Sequence, residues 1–319
     1  MENTINPVAG NRGFVTIATG DIRYYEVAHN LLLSYRWFAR RPMPFAIICD
    51  EENEFTSDFD DVIHIDNPRH SFLDKLRLPE LAPYDETIFI DADCLAYRDL
   101  NGLWRLFNNS GGFAALGEKY SLDSGKGWIT REGAGIYRNR VKFSLVFNGG
   151  VYFLRKNDLG EFSKTCEFIL DHYDSFNLSY PYKAPVDEPV FALACSVHGF
   201  DPALCYVHVY CYYPYSHAVE ADIRKGKLFY RTASNQPYPS YRYMVHWSMK
   251  RTEEELYGRE VASLKSVMKS RGRAPLCLEI RNRFMDFFLM KSHGFLKRLP
   301  YGFKAKAYQM ILGRIRHSS

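Results

Sequence analysis

The chain lacks any long hydrophobic run. Nowhere in its 319 residues do 18 apolar residues stand together, so no segment reads as a membrane-spanning helix. Met1-Glu2-Asn3 opens on acid and amide, without the basic-then-apolar pattern of a secretory signal. Cysteine is present, but the seven residues are odd in number and irregularly spaced. That argues against a disulfide framework and for reduced thiols in a cytosolic protein. Cys205-x-x-His208-x-x-Cys211, with Cys195, His198 and His217 nearby, invites a zinc reading. It has no paired C-x-x-C spacing, and the alternation from Cys205 to Cys211 fits a strand, the reading preferred here. Internal repeats and low-complexity segments are also absent.

What is present is an ordinary globular balance, 46% hydrophobic and 24% charged, in a chain long enough for a large core. The 23 Tyr and 23 Phe suit sugar-stacking surfaces, although most aromatics belong to cores by default. The net charge of +4 hides an asymmetry. Residues 281–319 hold nine Lys and Arg against one acid, Asp286, so +8 lies there and residues 1–280 carry −4. Within that tail Phe303, Ala307, Met310, Ile311 and Ile315 share one helical face, with Lys304, Lys306, Arg314 and Arg316 around them. The pattern fits a basic amphipathic helix on an anionic membrane surface. The plain alternative is a helix packed on the domain. No nucleic-acid motif accompanies the basic patch.

Strand-like and helix-like segments alternate along the first half, which predicts an α/β fold with a parallel-dominated sheet. Phe14–Thr19 reads as a strand, with Asp21 able to cap a helix over Tyr24–Phe38. Phe45–Cys49 and Val62–Ile65 read as the next strands. Ser71 can cap a helix through Leu78, stopped by Pro79. Glu86–Ile90 is a fourth strand, and Asp99–Phe107 a short helix. Ser121–Arg140 is rich in Gly, Ser and charge and reads as a long mobile loop. Val146–Leu154 is a strand interrupted by Gly149 and Gly150, which predicts either a bulge or a close approach of ligand or backbone. Asp187-Glu188-Pro189 can start a helix whose buried body is Val190–Val197. Tyr243–His246 looks like a short strand, and from Thr252 onward the pattern is mostly helical.

The most informative placement is Asp91-Ala92-Asp93, where the apolar strand Glu86–Ile90 ends. Ligands of open α/β sheets bind at the carboxyl ends of strands. Two carboxylates one residue apart cannot both enter a packed core without large cost. A bound divalent cation with hard oxygen chemistry, Mn²⁺ or Mg²⁺, accounts for them. The alternative is a helix N-cap or Asx-turn. Asp58-Phe59-Asp60 has the same spelling but precedes a strand, and reads as a solvated turn.

The order of these blocks resembles the GT-A glycosyltransferases of family 8, which include glycogenin and bacterial lipopolysaccharide galactosyl- and glucosyltransferases. Phe14–Asp21 looks like the family's first strand and nucleotide-binding turn. Asp74-Lys75-Leu76 followed by Tyr84–Asp93 is similar to its lysine-bearing helix and D-x-D strand. Phe147-Asn148-Gly149-Gly150-Val151 matches its F-N-[SG]-G-V strand. Asp187-Glu188 falls where the family has a D-Q pair, and His246 where it has a third metal ligand. The resemblance covers about residues 14–250. It departs at His246-Trp247-Ser248-Met249-Lys250, which has neither the Gly nor the Pro-Trp of the family's H-x-x-G-x-x-K-P-W block. Glu188-Pro189 also replaces the usual Gln and its neighbour.

The resemblance implies a Rossmann-like mixed sheet flanked by helices over residues 1–250, with a helical, basic extension over 251–319. It implies transfer of a hexose from a nucleotide-diphosphate sugar, a UDP-sugar, to a glycan or glycolipid acceptor. Asp91, Asp93 and His246 would bind Mn²⁺ or Mg²⁺. Thr19, Gly20, Tyr24, Lys75, Asp91, Asn148, Gly149 and Lys250 would contact the donor. Asp187 and Glu188 would stand near the anomeric centre, with the family mostly retaining configuration. Taken alone, His246 reads as a core or interfacial histidine beside Trp247 in preference to a ligand, and Lys75 has the plain alternative of a surface helix lysine. The expected setting is cytoplasmic, peripheral on the inner membrane face, in lipopolysaccharide or capsule synthesis. The rival readings are a haloacid-dehalogenase-like phosphohydrolase and a catalytically dead glycan- or membrane-binding protein.

Overall fold

The computed structural model describes residues 11–181, 184–203, 210–212, 216–232, 237–238 and 243–271. The chain begins with β1 (Arg12–Ala18), α1 (Ile22–Phe38), β2 (Phe45–Cys49) and β3 (Asp61–His64). It continues through α2 (Leu78–Leu81), β4 (Glu86–Ile90), β5 (Cys94–Ala96), α3 (Trp104–Phe107), β6 (Phe113–Tyr120) and β7 (Ser144–Arg155). α4 (Gly160–Asp171) and α5 (Asp187–His198) follow. The last described elements are β8 (Tyr210–Tyr212), β9 (Ser216–Asp222), β10 (Lys227–Thr232), β11 (Pro237–Tyr238), β12 (Met244–His246) and α6 (Glu255–Arg271).

Six strands form one sheet in the order β3-β2-β1-β4-β7-β6. The first four are mutually parallel. β7 runs antiparallel to β4, and β6 antiparallel to β7. This is the mixed sheet flanked by helices that the resemblance implies. Alternate residues enter two cores. Phe14, Ile47, Ile88 and Phe153 pack on the face covered by α1 and α6. Val15, Ile48, Phe89 and Tyr152 pack on the face covered by α4 and α5. With both faces buried, the strands read as unbroken apolar runs. Two three-stranded sheets complete the fold, β11-β10-β9 and β5-β12-β8.

α1 starts as its sequence dictates. The Asp21 side chain accepts the Arg23 N–H at 2.9 Å, a cap worth about 1 kcal/mol. Ser71 caps its segment too, but the segment is a 3-10 turn over Phe72–Arg77, with Pro79 inside the following turn α2 rather than ending the helix. Proline is tolerated there because first-turn N–H groups have no intrahelical partner. Asp99–Phe107 likewise divides into a 3-10 turn over Leu100–Leu103 and α3.

The stretch 121–140, read from composition as a loose loop, is packed. Trp128, Ile129, Ala134 and Tyr137 are buried in the α4–α5 core. Its polar majority masked these few anchors. Asp58-Phe59-Asp60 is the turn expected: Asp60 accepts the Phe45 N–H at 2.8 Å, and Asp58 lies 2.8 Å from His29 Nε2. α6 buries Tyr257, Val261 and Leu264 in the same core as α1. Its Glu260 accepts the Tyr97 hydroxyl at 3.1 Å and the Ile223 N–H at 2.7 Å. The amphipathic pattern at 303–316 and the zinc reading at Cys205 and His208 fall outside the described residues. Among the described residues no helix is long and apolar enough to cross a membrane.

Candidate active site

β4 ends at Ile90, and the next two residues turn. Cys94 N–H donates to the Asp91 carbonyl at 3.1 Å, closing the turn before β5. β12 pairs antiparallel with β5 and sets His246 opposite Cys94. Trp247 N–H donates to the Asp93 carbonyl at 3.0 Å, fixing the register. A residue 153 positions downstream of Asp93 therefore stands over the aspartates because two three-residue strands pair. His246 Nε2 lies 3.0 Å from Asp93 Oδ1 and 3.5 Å from Asp91 Oδ2. Each of Asp91, Asp93 and His246 offers one ligand atom, all within 4.8 Å of one another. Among the described residues this is the one such group of three or more His, Cys, Asp or Glu.

The glycines of β7 let its backbone reach this cluster. A Cβ on Gly150 would lie 2.8 Å from His246 Nδ1 and 3.0 Å from Asn148 Oδ1. One on Gly149 would lie 2.7 Å from the Tyr152 hydroxyl and 2.9 Å from Asp187 Oδ2. Of the two expectations for the pair the bulge is present, and the close approach is made by side chains rather than by another backbone. The β6–β7 ladder jumps from Ala115↔Tyr152 to Gly117↔Phe147, so Leu116 alone faces residues 148–151. The bowed segment stays tied to β4 through Asp91 N–H and the Gly150 carbonyl, at 3.0 Å.

Lys75 is not a surface lysine. It is only 8% exposed, and its ammonium lies 2.7 Å from Asp91 Oδ1 and 3.8 Å from Asp187 Oδ2. It also donates to the Gly149 carbonyl at 3.2 Å. Asp187, buried at the start of α5, accepts the Tyr152 hydroxyl at 2.5 Å. Its neighbour Glu188 accepts the Gly149 N–H at 2.6 Å and the Tyr180 hydroxyl.

Burial disfavours every charge in this cluster, and the partners decide the outcome. Burial pushes the Asp91 carboxyl up despite Lys75 and His246. Asp93 goes the other way: burial is outweighed by His246, which holds its carboxyl low. The His246 imidazole is held up, because Asp93 and Asp91 overcome its burial. Lys75 is likewise raised, with Asp187 and Asp91 outweighing burial. Burial and Asp187 push Glu188 up.

The remaining expected residues divide. Thr19 is buried, and its hydroxyl donates to Asp74 Oδ2 at 3.4 Å, next to Lys75. Gly20 has φ of +81°, which only glycine adopts freely, and its N–H donates to Asp50 at 3.2 Å. Tyr24 is 39% exposed in the first turn of α1. Asn148 Oδ1 accepts the Gly150 N–H at 3.0 Å. Lys250 lies exposed in a 3-10 turn over Met249–Arg251, four residues past His246.

The sequence reading passed over Tyr152, Tyr180 and a cluster around Asp50, which accepts the Tyr25 hydroxyl and has His70 Nδ1 at 3.7 Å. Asp50 follows β2 as Asp91 follows β4, so the same rule of an acid closing an apolar strand marks it. Tyr180 has no comparable local signal.

No protein-family model and no curated protein matches the chain. Solved structures do. The chain is similar to the galactosyltransferase LgtC in complex with donor and acceptor sugar analogs, at 14% identity and TM-score 0.49, over 80% of this chain and 95% of that one. It is similar to the apo WbbM bifunctional glycosyltransferase at 15% identity and TM-score 0.41, over 65% of this chain and 40% of that one. It is also similar to mouse xyloside xylosyltransferase 1 at 11% identity and TM-score 0.41, over 62% of this chain and 86% of that one.

Proposed function

We propose that this chain is a divalent-metal-dependent glycosyltransferase that moves a hexose from a UDP-sugar to a hydroxyl of a glycan or glycolipid, with retention. One observation carries the reading. Asp91, Asp93 and His246 converge at the carboxyl edge of the sheet, with Lys75 and Asp187 beside them. The motif order that resembles family 8 supplies the chemistry such a site would serve.

Two carboxylates and an imidazole are a donor set that fits Mn²⁺, and also Mg²⁺. A cation held there by Asp91, Asp93 and His246 would supply positive charge for a departing diphosphate. The chain's own groups do the rest. Lys75 offers a fixed positive charge beside Asp91, aimed at the same anionic region. Thr19, Gly20 and Tyr24 line the turn that would receive the nucleoside, and Lys250 is assigned to the phosphates. Asn148 and the backbone of Gly149, bonded to Glu188 and Lys75, are the part of β7 assigned to the sugar. Asp187, oriented by the Tyr152 hydroxyl, is the acid assigned to the anomeric centre.

We further read 1–250 as the catalytic unit and 251–319 as a helical extension whose basic tail meets an anionic membrane. The setting is the cytoplasmic face, in lipopolysaccharide or capsule synthesis. The phosphohydrolase alternative is not favoured, because its D-x-D needs neither His246 nor the glycine pair. A thermal-shift panel of sugar nucleotides with and without Mn²⁺ tests the proposal. A donor that stabilises only with metal, and releases its nucleotide when acceptor is added, supports it. No metal-dependent UDP release with any sugar nucleotide would favour a binding protein on a silent site.

A further inference from the structure

Glu188 stands next to Asp187 in sequence, but the two carboxylates face different partners. Asp187 meets Lys75 and the Tyr152 hydroxyl. Glu188 holds the bowed part of β7 from behind. Its Oε1 accepts the Gly149 N–H at 2.6 Å, and its Oε2 accepts the Tyr180 hydroxyl. Residues 148–151 need such support, because β6 offers them only Leu116. A backbone N–H that has lost its ladder partner must find another acceptor when it is half-buried.

The brace extends past Glu188. The Tyr180 ring meets Trp128 edge-on, with centroids 4.9 Å apart at 86°. Trp128 in turn packs on Phe147, centroids 5.2 Å apart, at the residue where the bow begins. Ser179 N–H donates to the Trp128 carbonyl at 2.8 Å, and Trp128 N–H to the Leu145 carbonyl at 3.1 Å. Residues from three separate segments thus hold β7 at Leu145, Phe147 and Gly149, on either side of Asn148.

We infer that Glu188 is a positioning residue: with Tyr180 and Trp128 it fixes the Asn148–Gly149 backbone that approaches the donor sugar, and it takes no part in bond making. The inference rests on the proposed function only for its kinetic consequence; the brace itself is a statement about β7.

Two measurements test it. Backbone hydrogen exchange over residues 145–152 reads the brace without any turnover. Glu188→Ala and Tyr180→Phe should each raise exchange there about tenfold, the ratio expected when one hydrogen bond of about 1.4 kcal/mol is lost. Glu188→Gln should keep the protection, since its amide oxygen still accepts the Gly149 N–H and its NH₂ can donate to the Tyr180 oxygen. Unchanged exchange in both Glu188→Ala and Tyr180→Phe overturns the brace, whatever the parent protein's activity. Kinetics then separate positioning from chemistry. Glu188→Ala should raise the donor KM by about tenfold with a smaller fall in kcat, and Glu188→Gln should recover most of that loss without moving the pH profile. A loss of kcat of about a thousandfold in Glu188→Gln, equal to that in Glu188→Ala, would make Glu188 a reacting group. If the parent turned over no sugar nucleotide, the functional reading would fall, and the exchange result would still decide the brace.

Discussion

The Lys75 ammonium lies 2.7 Å from Asp91 Oδ1 in a site where both side chains are largely screened from water. A divalent cation on Asp91, Asp93 and His246 would share Asp91 with this ammonium. Removing one member of a buried pair leaves an uncompensated charge, which costs about 3–5 kcal/mol. Lys75→Ala should lose that much stability by urea unfolding in the absence of metal, and Mn²⁺ should restore part of it by supplying positive charge at the same carboxylate. A variant as stable as the parent without metal would contradict the pairing.

Gly150 is the second lever. An alanine there would put its Cβ 2.8 Å from His246 Nδ1, and the buried imidazole has little room to retreat. Overpacking of this kind costs about 1–3 kcal/mol. Gly150→Ala should remain folded and lose most of the Mn²⁺-dependent rise in melting temperature, because His246 is displaced from the aspartates. An undiminished metal response would show that the imidazole is no ligand.

The two D-x-D spellings give an internal control. Asp60 caps the Phe45 N–H at 2.8 Å and meets Arg36 at 3.4 Å, and is not part of the Asp91–Asp93–His246 group. Asp60→Ala should cost about 1 kcal/mol in stability, the net value of one such hydrogen bond, and leave the Mn²⁺ response intact. Asp93→Ala should abolish the Mn²⁺ response, at a larger cost in stability because it strips the buried His246 of its partner. Loss of the metal response in Asp60→Ala would refute the distinction drawn from strand position.

Much of this was legible in the chain, and the reasons are physical. β2 and β4 have the bounds read from sequence, because strands buried on both faces are continuous apolar runs ended by turns. The acid after such a run is easy to see. His246 was legible only through motif order: its place over Asp93 follows from β12 pairing with β5, a contact no local pattern encodes. Lys75 sits on a short turn whose periodicity gives no sign that its amine points inward. Trp128 was hidden among Gly, Ser and charge, so its segment read as loose although its aromatic anchors are buried. From sequence Pro79 reads as a stop, because the turn beginning at Leu78 cannot be told from the end of the one before.

Glu260 predicts a pH effect of its own, outside the Asp91–Asp93–His246 group. Burial raises its carboxyl above the ordinary value, against the pull of the Ile223 N–H and the Tyr97 hydroxyl. A raised folded-state value means that the stability linked to protonation is present below the unfolded carboxyl range and is lost as pH rises through the folded one. Both donors meet the same oxygen, so an amide can keep both bonds. Glu260→Gln should melt above the parent at pH 8, with the gap closing toward pH 4. A parent more stable than the variant at pH 8 would reverse the sign.

The most direct measurement is a crystal soaked in Mn²⁺ and uridine diphosphate, read by anomalous scattering at the manganese edge. The account predicts one anomalous peak bounded by Asp91, Asp93 and His246, with the diphosphate oxygens completing its coordination. Nucleotide bound without a peak there, or a peak held by other side chains, would contradict it.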